Sequence, residues 1–165
     1  MTPRSSLAAL LCAALLAAGC ASTTSGSVAT GGKSRSQLLL VSPEQVMQQS
    51  LQYYDEQNRE ARAKGQLVTG GPEWSRVNAV MLRLVPPVAA FRPDAGRWPW
   101  QLVLIDEDTV NAHVMAGGKI TVYTGLIRKL RLSDDEIAAV MGHEMAHALR
   151  EHTREKMSQA AAGDL

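Results

Sequence analysis

Two histidines and a glutamate lie close together in the sequence, at His143, Glu144 and His147. Residues four apart lie one above the other on a helix, so the two imidazoles can direct nitrogen atoms at one point. Neutral imidazole is a common zinc ligand, and a carboxylate beside the first ligand can accept a proton from a water at the same point. The spacing therefore predicts a catalytic zinc site of the H-E-x-x-H type, with Glu144 as the general base.

The segment that carries these residues is predicted to form one helix from Ser133 to Arg150. Ser133 can cap its first turn, and Glu136 can complete a capping box. From Ile137 to Leu149 the other side chains are apolar or small, so we expect most of the helix circumference to be buried. Unpaired polar groups in that setting would cost about 2–7 kcal/mol each, which favours a shared partner such as a metal ion. The alternative is a coincidental motif on a solvated helix face.

The sequence from Asn111 to Met157, which contains this motif, resembles a family of zinc metalloendopeptidases. That family includes the membrane protease HtpX and the bacterial lipoprotein proteases LoiP and BepA, and the resemblance is strongest to the lipoproteins. A weaker similarity extends back to Ser42. The resemblance implies one zinc ion per catalytic site, held in part by His143 and His147, with general-base catalysis by Glu144.

The fold implied by the resemblance is α+β and zincin-like, with N-terminal helices, a short β-hairpin or sheet, and the H-E-x-x-H helix. The residues themselves also predict the hairpin, because Asn111–Met115 and Lys119–Tyr123 have strand character and flank Gly117-Gly118. In the family, the exposed strand of this hairpin pairs with an extended substrate; alternatively, the hairpin only packs on the helix. The residues that would contact substrate are Asn111, Ala112, His113 and Val114.

A catalytic zinc site uses three protein ligands, and the motif supplies two. On a continuous helix Glu151 would lie about 12 Å from His143, and His152 would point away from the shared face, so we expect both to be surface or supporting groups. His113 is the alternative within the chain, although the family usually has an aromatic residue there. The family takes a glutamate from a later helix. We therefore expect the third ligand beyond Leu165 and a C-terminally truncated catalytic domain, so that these 165 residues bind zinc weakly and show little or no proteolysis.

Residues 1–19 have the features of a signal peptide, because a positive start is followed by twelve apolar residues, too few to span a bilayer. Leu16–Cys20 resembles the bacterial lipobox, in which the cysteine is lipidated; the alternative is an ordinary signal peptide with an incidental cysteine. Residues 20–37 are predicted to form a flexible, lipid-anchored linker. Residues 38–165 are predicted to form the N-terminal portion of the metalloprotease domain.

Two helices are predicted before the hairpin. The first begins at Ser42, which can form a capping box with the residue three positions on, and ends near Gly65. The second begins at Pro72 and stops at Pro86-Pro87. On the first helix, the residues expected to share the buried face are Met47, Leu51, Tyr54 and Ala61.

The composition is that of a globular domain with an extension: 165 residues, 45% hydrophobic and 20% charged. A net charge of +1 argues against a dedicated nucleic-acid-binding protein. We therefore predict a zinc metalloendopeptidase anchored by lipid to a bacterial envelope membrane, by analogy the outer membrane, and facing the periplasm. By resemblance, its substrates are misfolded or unassembled envelope proteins. The alternative is a non-catalytic lipoprotein that binds client or assembly proteins and has an incomplete zinc motif.

Overall fold

The computed structural model describes residues 21–24 and 35–163. The expected signal peptide and Cys20 lie outside the described residues. Strands β1 (Ala21–Thr24) and β2 (Arg35–Leu38) pair antiparallel, so two parts of the segment expected to be a flexible linker are strands. The side chain of Gln37, at the end of that segment, is buried and donates a hydrogen bond to the carboxylate of Glu155, at 3.1 Å. The packed part of the chain therefore begins before residue 38.

Six helices form the α part of the described chain, and both predicted N-terminal helices are confirmed. The first has the expected capping box, in which Ser42 Oγ accepts from Gln45 N at 3.2 Å and Gln45 Oε1 accepts from Ser42 N at 3.1 Å. The helices are α1 (Pro43–Ala63), α2 (Pro72–Leu84), α3 (Val88–Phe91), α4 (Thr124–Leu130), α5 (Asp134–Leu149) and α6 (His152–Gly163).

Within residues 21–24 and 35–163, no helix has both the length and the apolar character that crossing a membrane requires.

The buried face of α1 differs from the prediction at two of its four positions. Met47 is 38% exposed and Leu51 is 45% exposed, so the expectation that they pack in the core is wrong. Burial instead follows positions spaced by about one and two turns, as expected for one helix face against the sheet and α6. The buried residues of α1 are Val46, Ser50, Tyr54 and Ala61.

A four-stranded mixed sheet, in the order β3-β4-β6-β5, forms the β part of the domain. Strand β3 (Leu67–Val68) runs antiparallel to β4 (Gln101–Ile105), and β4 runs parallel to β6 (Lys119–Tyr123). Strand β5 (Ala112–Met115) is antiparallel to β6 and lies at one edge. The predicted hairpin is thus confirmed, with a tryptophan packed against its loop.

That loop has three residues, since Met115 pairs with Lys119. Both glycines adopt left-handed backbone conformations, with φ of 79° at Gly117 and 76° at Gly118. A Cβ atom added at Gly118 would lie 2.7 Å from Cδ2 of Trp100. Glycine is therefore required at position 118 both by the turn and by the close packing of the indole ring.

The two faces of the sheet are covered by different helices. On one face, Thr121 Oγ1 donates to Gln57 Oε1 of α1 at 2.9 Å, and Gln57 Nε2 donates to the hydroxyl of Tyr123 at 2.9 Å. On the opposite face, the sheet packs against α2 and α5 in the main hydrophobic core. The fully buried residues of that core include Leu104, Ile120, Val122, Val77, Val80 and Met141. The domain is therefore α+β, with α5 held directly against the edge strand β5.

Candidate metal centre

Helix α5 begins where the sequence predicts. Ser133 N donates to Glu136 Oε2 at 2.7 Å, and Ser133 Oγ accepts from Glu136 N at 3.4 Å. The hydrogen bond from the Ser133 backbone to this carboxylate holds the pKa of Glu136 below its usual range. This capping box fixes the first turn, and the helix then carries the three motif residues two to three turns further on.

One stripe of α5 is buried and another is open. Ala139, His143 and Ala146 are exposed, while Glu144 and His147 are half-buried. The expectation of burial around most of the helix is therefore wrong. The free-energy cost of burying unpaired polar groups then gives no reason for the motif residues to share a metal ion. The motif lies on the open side because the core contacts are confined to the opposite side. The buried residues of α5 are Ile137, Met141, Met145, Ala148 and Leu149.

The predicted motif residues come together as their spacing requires. The donor atoms of His143, Glu144 and His147 all lie within 4.8 Å of one another, and in the described part of the chain they form the only such group of three. The Nε2 atoms of the two histidines are 3.0 Å apart, and their rings meet edge to face at an angle of 89°. Both imidazoles therefore direct the same ring atom at a common point.

This donor set fits zinc. Two nitrogen ligands at 2.0–2.1 Å in a tetrahedral site lie about 3.3 Å apart, so a separation of 3.0 Å needs only a small movement of the rings. Two imidazoles with an adjacent carboxylate match the donors that zinc prefers, and the open face of α5 leaves access for water and substrate. His143 and His147 are thus suited to hold the ion, and Glu144 is close enough to act on a water beside it.

His113 is not part of this donor group. It pairs with Thr121 across β5 and β6, so it shares the sheet face covered by α1, and it is not among the grouped donors. Burial lowers the pKa of the His113 imidazole, and the negative charge of Glu144 opposes that shift. Its Nε2 is buried and has no hydrogen-bond partner among the described residues. The structure therefore leaves His113 outside the donor group, although the charge of Glu144 reaches it.

Helix α5 ends close to its predicted end at Arg150, and the chain beyond it is not the continuous helix assumed in placing Glu151 and His152. The helix ends at Leu149, Glu151 adopts a left-handed conformation with φ of 56°, and α6 begins at His152. Glu151 is engaged in ion pairs with Arg154, at 3.1 Å, and with Arg92, at 3.5 Å, which agrees with its exclusion as a ligand. Neither glycine nor proline occurs at this break, so the residue types there do not predict it.

The break places His152 against the metal motif instead of away from it. Its Nδ1 lies 2.5 Å from Nδ1 of His147, and the ring centroids are 4.8 Å apart. Sequence reasoning named His152 only as a surface or supporting group, because on an unbroken helix it would leave the shared face. The contact depends on a backbone conformation that the residue types do not reveal.

The four residues expected to contact substrate lie at the edge of the sheet beside α5. Asn111 precedes β5, and its carbonyl accepts from Tyr123 N at 3.2 Å. Strand β5 has β6 on one side, and the described residues place no strand on its other side. Ala112 and Val114 are buried towards the core, whereas His113 lies on the opposite face.

Comparison with known proteins agrees with this geometry. The model of peptidase family M48 matches residues 73–165, which include strands β4, β5 and β6 and helices α5 and α6. The chain belongs to peptidase family M48. This M48 assignment confirms the family resemblance drawn from the motif and the hairpin.

Several proteins similar to this chain are proteases by name. The mitochondrial metalloendopeptidase OMA1 of Arabidopsis thaliana is 40% identical over 60 residues, which cover 36% of this chain and 12% of that protein. The metalloprotease LoiP of Escherichia coli is 29% identical over 160 residues, 97% of this chain and 58% of LoiP. The β-barrel assembly-enhancing protease of Escherichia coli is 28% identical over 111 residues, 66% of this chain and 21% of that protein. The chain thus spans less than two thirds of the length of these relatives.

Proposed function

We propose that this chain carries the metal-binding and catalytic residues of a zinc metalloendopeptidase. The observation that carries the proposal is the convergence of His143, Glu144 and His147 within 4.8 Å on the open face of α5. Membership of peptidase family M48 supports the same conclusion. His143 and His147 hold one zinc ion through Nε2, and Glu144 is the general base.

Each residue has a role that follows from its position. When bound, zinc supplies Lewis-acid chemistry, lowering the pKa of water and polarising the scissile carbonyl. The two imidazoles fix the ion on α5 because their Nε2 atoms already point to one place. Glu144, one residue after the first ligand and half-buried, accepts the proton of the attacking water.

Peptide binding is assigned to the edge of the sheet. A strand edge offers backbone donors and acceptors to an extended chain, which gives affinity with little side-chain selectivity. Residues Asn111–Val114 occupy this position, and β5 packs against α5. We propose that substrates add as a strand to β5, which brings a peptide bond to the zinc site.

The proposed setting is the bacterial cell envelope. The lipobox-like sequence ending at Cys20 supports a lipid anchor, and Ala21 in place of aspartate supports, by analogy with lipoproteins of enteric bacteria, an outer-membrane location with the catalytic face in the periplasm. The relative named as a β-barrel assembly-enhancing protease supports substrates among misfolded or unassembled envelope proteins, and contacts with envelope assembly proteins.

Digestion of an unfolded protein tests the proposed function against a binding role. We expect casein to be cleaved by a preparation of the protein that binds zinc stoichiometrically, cleavage to stop when a zinc chelator is added, and cleavage to return with added zinc. Binding of unfolded protein without any cleavage, at a zinc concentration that saturates His143 and His147, would instead identify a non-catalytic client-binding lipoprotein.

A further inference from the structure

The turn between α5 and α6 changes what His152 contacts. On an unbroken helix a residue five positions after His147 is rotated by about 140° around the axis, so its side chain points elsewhere. In the structure, Glu151 has a left-handed conformation and separates α5, which ends at Leu149, from α6, which begins at His152. As a result, the ring of His152 meets the ring of His147 at an angle of 58°.

His147 therefore has a neighbour at each ring nitrogen. Its Nε2 faces Nε2 of His143 at 3.0 Å, and its Nδ1 faces Nδ1 of His152 at 2.5 Å. Neutral imidazole carries a proton on one nitrogen and a lone pair on the other. Binding a metal through Nε2 requires the proton on Nδ1, where a hydrogen-bond acceptor then stabilises the ligating tautomer.

We propose that His152 is a positioning residue that fixes both the tautomer and the ring orientation of His147. Nδ1–H of His147 donates to the lone pair on Nδ1 of His152, and His152 keeps its own proton on Nε2. This inference rests on the proposed zinc site. Supporting partners of this kind orient a metal ligand and raise its basicity, and their loss typically weakens metal binding about 10–100-fold.

Helix α6 is held firmly enough to serve this role. Arg154 Nε donates to the carbonyl of Val41 at 2.6 Å, and Val41 N donates to Oγ of the fully buried Ser158 at 3.1 Å. Gln37 Nε2 donates to the buried carboxylate of Glu155 and to the carbonyl of Arg150. The segment before α1 thus holds α6 in place through these hydrogen bonds. His152 is the first residue of α6.

His152 is not proposed as a ligand of the same ion. It is not among the three grouped donors, and its Nδ1 lies next to the nitrogen of His147 that faces away from His143. A residue that acts only through His147 should be replaceable by another acceptor in the same place. The Oδ1 atom of asparagine lies as many bonds from Cβ as Nδ1 of histidine does, whereas Oε1 of glutamine lies one bond further out.

The test compares three substitutions, His152→Asn, His152→Gln and His152→Leu, with Lys156→Ala on the exposed side of α6 as the control. Zinc affinity is measured by competition with a chelating indicator. We expect His152→Leu and His152→Gln to weaken zinc binding about 10–100-fold, and His152→Asn and Lys156→Ala to change it by less than about threefold. Equal affinity across the His152 series would overturn the inference, as would equal losses in all three variants.

A second readout needs no metal. Long-range nitrogen–proton NMR spectra at pH 8 report which ring nitrogen of His147 carries the proton. We expect the Nδ1–H form in the native protein and in His152→Asn, and a shift towards Nε2–H in His152→Leu. A native His147 in the Nε2–H form, or one unaffected by His152→Leu, contradicts the proposal even if a variant loses stability.

His143→Ala separates this inference from the zinc site itself. If His143→Ala leaves zinc affinity unchanged, the proposed metal centre is wrong, and the inference falls with it. If His143→Ala weakens zinc binding while the His152 series does not, only the positioning role is wrong.

Discussion

His113 buries a polar ring nitrogen that has no hydrogen-bond partner among the described residues. An unsatisfied buried group of this kind costs about 1–3 kcal/mol. We expect His113→Phe to raise the free energy of unfolding by about that amount at pH 7.5, measured by urea denaturation with chelator present. Zinc affinity should not fall, since His113 lies outside the donor group. Loss of zinc in this variant would instead identify His113 as a ligand.

The stabilisation by His113→Phe should also depend on pH. Burial lowers the pKa of His113 from its ordinary value of 6.5, so the unfolded chain takes up a proton before the folded chain does. Protonation of His113 in the unfolded chain therefore lowers the free energy of unfolding of the native protein as the pH falls from 6.5 towards the folded-state pKa. We expect the difference in the free energy of unfolding between His113→Phe and the native protein to be larger at pH 5.5 than at pH 7.5. An equal difference at both pH values would contradict this.

The residues of the site differ in how far the sequence predicts them. His143, Glu144 and His147 follow from helix geometry alone, because spacings of three and four residues bring side chains to one face. The contact of His152 does not follow, because it depends on the left-handed conformation of Glu151, a residue type that gives no sign of it. Local spacing can be read from the sequence, whereas this helix break has no marker residue and involves a long-range contact, the ion pair of Glu151 with Arg92.

At the scale of elements, α5 depends on the capping box at its start. Ser133→Ala removes the side-chain acceptor for Glu136 N and should lower the free energy of unfolding by about 1 kcal/mol. Ser75→Ala is the matched control, since Ser75 is an exposed residue inside α2 and should change stability by less than about 0.5 kcal/mol. Urea denaturation of both variants measures the difference, and similar midpoints would argue against a capping role.

The hairpin loop can be tested with a pair of glycine substitutions. Gly118→Ala places a Cβ atom 2.7 Å from Trp100 and forces alanine into φ of 76°, so we expect a loss of more than about 1–2 kcal/mol. Gly142→Ala, inside α5, meets no heavy atom within 4 Å and should raise stability by about 0.5–1 kcal/mol. Thermal unfolding of both variants compares them directly. Equal shifts would mean that the loop conformation is not enforced.

Helix starts and the hairpin turn can be predicted from local sequence signals, whereas the face that a helix buries is harder to predict. The capping residues Ser42 and Ser133 and the glycines of the hairpin give the starts and turns, since each satisfies a specific backbone requirement. The buried face of α1 was misplaced at Met47 and Leu51 because apolar residues occur on both of its sides. Which side faces the sheet is decided by the fit to β6 and α6, which sequence periodicity does not contain.

At the scale of the whole molecule, the proposed lipid anchor rests on Cys20. We expect Cys20→Ser to abolish N-terminal processing and to release the protein from the membrane fraction of a bacterial host. Cys12→Ser is the control, because that residue would be removed with the signal peptide and should leave retention intact. Mass spectrometry of the mature N-terminus measures the outcome. An unmodified N-terminus at another residue would identify an ordinary signal peptide.

The catalytic assignment is tested most directly by Glu144→Gln in a preparation of the protein that digests casein. Glutamine keeps the size of the side chain and leaves both imidazoles in place, so zinc content and the circular dichroism spectrum should be unchanged. Because the proton acceptor is lost, the rate of peptide hydrolysis should fall about 10²–10⁴-fold. The decisive measurement is therefore turnover together with bound zinc in this one variant. Lost turnover with retained zinc is the predicted result, and native turnover by a zinc-loaded Glu144→Gln variant would contradict the account.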